Sequence, residues 1–87
     1  MNVMEKFELS EGITILACSG YDSKLDVIGK KFKLIRGDTV RQTLTISGER
    51  KMLNRKANLD KKAFETRDTI LLSKEEAQSG EWQLVGD

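Results

Sequence analysis

The strongest constraint in this chain is a stretch of strict alternation. In residues 39–47, Thr-Val-Arg-Gln-Thr-Leu-Thr-Ile-Ser, the apolar residues Val40, Leu44 and Ile46 share one parity, with Gln42 the one polar interruption. Thr39, Arg41, Thr43, Thr45 and Ser47 share the other. A period of two, rich in β-branched residues, is the pattern of a strand with one face in a core and one in water. Just upstream, Lys31-Phe32-Lys33-Leu34-Ile35-Arg36 alternates in the same way, and Gly37-Asp38 separates the two runs. Gly supplies a positive φ and Asp bonds the local backbone, so the spacing predicts a tight hairpin.

The same reasoning extends over the chain. Residues 3–9 and 13–18 read as an earlier strand pair turned by Ser10-Glu11-Gly12, with Val3, Phe7 and Leu9 on one face of the first strand. Ser19 to Ser23 is a loop by composition, and Leu25, Val27 and Ile28 form a short apolar patch ended by Gly29. Thr69-Ile-Leu-Leu72 reads as a buried strand. Ser73 with Glu76 three positions on is a capping box, which predicts one or two helical turns over 74–79, stopped by Gly80. Residues 81–85 resume strand alternation, with Trp82 on the Leu84 side and so in the core.

The segment 48–66 has an ambiguous period. Gly48-Glu49 turning a hairpin with Arg50 to Asn54 as the return strand is one reading; Asn58 capping a short helix over Leu59 to Phe64 is another. A mobile basic excursion is the third. The resulting fold class is mainly β: one domain over residues 1–87, a small antiparallel barrel or sandwich of about six strands with one short helix. SH3-like, OB-like and translation-factor β-barrels share this size class.

Eighty-seven residues allow one core and little enclosed cavity beside it. Net stability on the order of 4–13 kcal/mol follows from the usual per-residue range. The single cysteine, Cys18, lies in an apolar run and reads as a buried structural thiol; a chain without a disulfide fits a reducing compartment. The N-terminus has no basic-then-apolar leader and no run approaches a membrane span, so the expectation is a cytoplasmic protein that does not engage a membrane.

The residue inventory argues against most catalytic chemistries. Histidine is absent, which removes the commonest general base and metal ligand. The seven glycines are scattered and build no phosphate loop. Glu75 and Glu76 are explained by the first turn of a helix, and Asp22 and Asp26 lack the pattern of a calcium loop. Arg36-Gly37-Asp38 spells an adhesion tripeptide, which hairpin geometry already explains. The expectation is a protein that is not an enzyme and holds no cofactor or metal.

Charge is unevenly spread. Residues 1–23 carry −3, residues 24–62 carry +8, with twelve Lys or Arg against four acids, and residues 63–87 carry −4. Segregation of this kind points to an anionic partner, unless the basic middle folds against the acidic ends. The candidate contact residues are Lys30, Lys31, Lys33, Arg36, Arg41, Arg50, Lys51, Arg55 and Lys56, with Tyr21 as the one loop aromatic available for stacking. Nucleic acid is the first expectation, with a salt slope of about −4 if roughly five phosphates are neutralised. A protein–protein adaptor or inhibitor, such as a phage or mobile-element accessory protein docking through surface charge or an edge strand, is the alternative. A homo-oligomer formed by edge pairing is compatible with both.

Overall fold

The computed structural model describes residues 1–20, 26–50 and 62–86. The hairpin forms as the alternation requires: β3 (Lys31–Arg36) pairs antiparallel with β4 (Thr39–Thr45), Arg36 facing Thr39 across the turn and Gly37 at φ +58°. A second pair joins β1 (Asn2–Glu8) to β2 (Thr14–Ser19) around Gly12 at φ +75°, closed by Leu9 N–H donating to Ile13 O. β5 (Gly48–Arg50) pairs with β6 (Lys62–Thr66), and β7 (Gln83–Gly86) lies between β3 and β1. One antiparallel sheet of seven strands results among the described residues, in the order β4-β3-β7-β1-β2-β6-β5.

The backbone ladder does not close this sheet into a barrel. The two edges are nevertheless neighbours in sequence, since only Ile46 and Ser47 separate β4 from β5. Side chains and isolated backbone bonds join that bend to the end of β6. Thr66 Oγ1 donates to Thr45 O at 2.7 Å, Ser47 N–H donates to Glu65 O at 2.8 Å, and Thr45 N–H donates to Asp68 Oδ2 at 2.7 Å. Thr66 is fully buried, and this bond satisfies its hydroxyl.

Residues 69–72 are not the buried strand expected from their composition. They form an extended strap outside any ladder, with Ile70 and Leu72 buried and Leu71 exposed. Side chains bind its backbone in place of a neighbouring strand. Gln42 donates to Thr69 O at 2.9 Å and accepts from Leu71 N–H at 2.6 Å. Arg41 donates to Leu71 O at 3.0 Å, and Lys6 Nζ donates to Ile70 O and Leu72 O at 3.2 and 2.6 Å. With Asp68 at Thr45 and Leu71 at Arg41, the strap runs antiparallel beside β4, bridged by side chains. Gln42 is therefore the polar interruption in an apolar face because it does the work of a β-bridge there.

Two bulges overturn face assignments made from alternation. Val3 faces Cys18 but Glu5 faces Ala17, so Met4 is an extra residue on β1. Beyond it parity reverses: Lys6 turns inward with a side chain 10% exposed, and Phe7 lies on the outer surface, 43% exposed, with Leu9 also exposed. On β4, Leu34 faces Gln42 and Ile35 faces Val40, which leaves Arg41 as the extra residue. Val40 is therefore outward and 53% exposed, not in the core. An inserted residue shifts everything beyond it to the opposite face.

The core gathers Val3, Leu16, Cys18, Leu34, Leu44, Ile46, Phe64, Trp82 and Leu84, each 0–1% exposed. Each large apolar side chain so buried contributes about 1.5–3 kcal/mol of transfer free energy. Burial pushes the Cys18 thiol up to about 12, which makes it the inert thiol expected. The helix α1 (Lys74–Gln78) has its capping box: Glu76 N–H donates to Ser73 Oγ at 3.1 Å, and Ser73 N–H donates to Glu76 Oε1 at 2.9 Å. Ala77 anchors it in the core, and Gly80 at φ +78° follows. Gly48 and Glu49 lie in β5 and are not a turn; residues 62–64 are strand, which rules out a helix running to Phe64. The remainder of the expected excursion, with the 51–54 return strand, falls outside the described residues. No described helix is long and apolar enough to cross a membrane.

Candidate binding surface

β3, β4 and β7 contain four cations, Lys31, Lys33, Arg36 and Arg41, and neither Asp nor Glu. The sheet sorts these cations into two pairs. Phe32 and Leu34 point inward, so Lys31, Lys33 and Ile35 project together from the outer face. Across the ladder, Lys31 faces Thr45, Lys33 faces Thr43 and Val85, and Ile35 faces Val40 and Gln83. The outer face of β4-β3-β7 thus carries two lysines one strand repeat apart beside an aliphatic group, Ile35, Val40 and Val85.

Arg36 and Arg41 leave that face. Arg41, at the bulge, reaches the end of the sheet where Trp82 is buried, its guanidinium carbon 4.2 Å from the ring centroid. It donates to both carboxylate oxygens of Glu76 at 2.9 Å as well as to Leu71 O. Arg36 lies over the same ring at 5.4 Å and pairs with Glu81 at 3.8 Å. Arg41 therefore fastens α1 and the strap beside Trp82, Arg36 pairs with Glu81 beyond α1, and the expectation that Arg41 would join Lys31 and Lys33 in solvent is corrected by the bulge. Hydrogen bonding within the capping box to Ser73, and then the Arg41 guanidinium, hold the Glu76 carboxyl below the usual carboxylate range.

The remaining candidates separate. Lys30 is exposed on the loop just before β3, beside the lysine pair but off the ladder. Arg50 sits on β5, at the other end of the strand order, paired to Glu65 at 3.6 Å. Tyr21, Lys51, Arg55 and Lys56 lie outside the described residues. The structure thus brings together Lys31 and Lys33 with Lys30 adjacent, and commits Arg36, Arg41 and Arg50 to carboxylates of the acidic C-terminal third. Sequence reasoning missed the aliphatic group beside the lysines, because it placed Val40 in the core.

A shallow cavity of about 200 Å³ lies elsewhere, between Lys6, Glu8, Ile13 and Thr69. Lys6 is its one cation, and that ammonium already serves Ile70 O, Leu72 O and, at 3.0 Å, Glu8 Oε1. Three acceptors use its three protons, leaving none for a ligand. Among the described residues no cluster of Cys, Asp or Glu is arranged to hold a metal ion. Comparison with protein-family models, curated proteins and solved structures returns no match for this chain.

Proposed function

We propose that this chain is a non-enzymatic binding module that meets an anionic partner through the outer face of β4-β3-β7. The observation that carries the reading is the charge of those strands: Lys31 and Lys33 project from one face, and β3, β4 and β7 themselves contain no Asp or Glu. Lys30 extends the positive charge at one end. Of the ten residues expected from the sequence, Lys30, Lys31 and Lys33 gather here; Arg36, Arg41 and Arg50 pair with carboxylates, and Tyr21, Lys51, Arg55 and Lys56 lie outside the described residues.

The reading is tested by fluorescence anisotropy with poly-glutamate and with a single-stranded oligonucleotide over a salt series. Binding is expected at low salt for the parent chain. For the oligonucleotide, a slope of log affinity on log salt of about −2 follows from three neutralised phosphates. The Lys31→Glu/Lys33→Glu double variant is expected to abolish binding while leaving thermal unfolding nearly unchanged, since both side chains are exposed. Absence of binding to both polyanions, or binding that the double variant leaves intact, overturns the proposal.

A further inference from the structure

Resting on that reading, we infer that the partner is a protein whose contact surface has an aliphatic centre and a carboxylate rim, not a nucleic acid. The outer face has that complementary form. Val40 and Val85 are 53% and 42% exposed, and Ile35 bridges them: it faces Val40 directly and is the diagonal neighbour of Val85. Lys31 and Lys33 border this group along β3, and Thr43 and Gln83 complete a polar surround. An apolar centre within a polar, charged rim is the anatomy of a protein interface.

Two further observations weigh against phosphate tracking. Binding to single strands relies on exposed aromatic rings on which bases stack. Among the described residues the aromatics nearest this face, Phe32 and Trp82, are 9% and 1% exposed and lie on the inner side, while the exposed ring of Phe7 lies towards the other end of β1 from its Asn2–Gln83 pairing with β7. Arg is the side chain suited to bidentate phosphate contacts. Arg41 is held by two hydrogen bonds to Glu76, and Arg36 is turned off this face, over the Trp82 ring with Glu81 at 3.8 Å. Lysine charge and branched aliphatic surface are what the face presents, and carboxylates around an aliphatic patch complement both.

The test compares three probes on the parent chain and on the Val40→Ser/Val85→Ser variant: a short peptide alternating Glu with Val, a peptide alternating Glu with Ser, and a single-stranded oligonucleotide. The Glu-Val peptide is expected to bind most tightly. Chemical-shift changes in ¹⁵N spectra should centre on residues 31–35, 40–45 and 83–85. The Val40→Ser/Val85→Ser variant should lose about tenfold or more in affinity for that peptide, roughly what 1.4 kcal/mol represents, with oligonucleotide affinity unchanged. Both valines are exposed, so the variant should fold, which circular dichroism checks. Tighter binding of the oligonucleotide, or a Glu-Val affinity no greater than Glu-Ser and indifferent to the valines, overturns this inference while leaving the anionic face standing. Failure of all three probes to bind overturns the anionic face as well.

Discussion

Gln42→Ala isolates the way this sheet is finished. The Gln42 amide makes two hydrogen bonds to the strap, to Thr69 O at 2.9 Å and from Leu71 N–H at 2.6 Å. Each neutral hydrogen bond contributes about 0.5–1.5 kcal/mol net, so losing both costs about 2 kcal/mol. For a domain of this size that corresponds to a fall of about 8–16 °C in Tm. In urea, with a slope near 2 kcal/mol per M, the midpoint drops by about 1 M and the slope itself is unchanged. Hydrogen exchange should show lost protection at Leu71 N–H, with β1 and β2 keeping theirs relative to global unfolding. The reasoning is refuted if Gln42→Ala shifts the urea midpoint no more than an ordinary surface substitution does.

Lys6→Met should cost about 3 kcal/mol or more, read by urea unfolding, because it strips a charged donor from both Ile70 O and Leu72 O at a side chain only 10% exposed. Gly37→Ala should cost about 1–2 kcal/mol, the penalty for a side chain in the left-handed region, and Asn at the same position less. The depressed Glu76 pKa gives a contribution that is complete above the ordinary carboxylate value of 4.5 and fades as pH falls through the folded value; Glu76→Gln should flatten that part of an acid-unfolding curve. Cys18, held at about 12 by burial, should react with thiol reagents in the native state only as fast as the chain opens, and at once in denaturant.

The sequence was most legible where local chemistry decides the outcome. The Gly37-Asp38 hairpin, the Ser10–Gly12 turn, the Ser73–Glu76 capping box and the burial of Trp82 each depend on a few neighbouring residues, and each is present. Parity carried across Met4 and Arg41 misassigned Phe7, Leu9 and Val40, because a bulge is set by cross-strand fit and leaves no mark in apolar alternation. Thr69–Leu72 has the composition of a buried strand, yet its backbone partners are side chains from β1 and β4, sequence-distant residues that no local pattern links to it. Lys31 and Lys33 were legible as outward because β3 has no inserted residue. The fates of Arg36 and Arg41 were not, since their partners Glu81 and Glu76 lie more than thirty residues away.

Two matched charge removals test the assignment of the binding face most directly. Lys31→Gln and Arg36→Gln each subtract one positive charge from exposed positions on the same strand, so their effect on net charge is identical. Only Lys31 projects from the outer face, while Arg36 is turned towards Trp82 and Glu81. Measured by anisotropy with poly-glutamate across a salt series, Lys31→Gln should weaken binding severalfold and reduce its salt dependence, and Arg36→Gln should leave both as in the parent chain. Equal losses from the two variants would mean that binding follows net charge alone, and would contradict the assignment of this face.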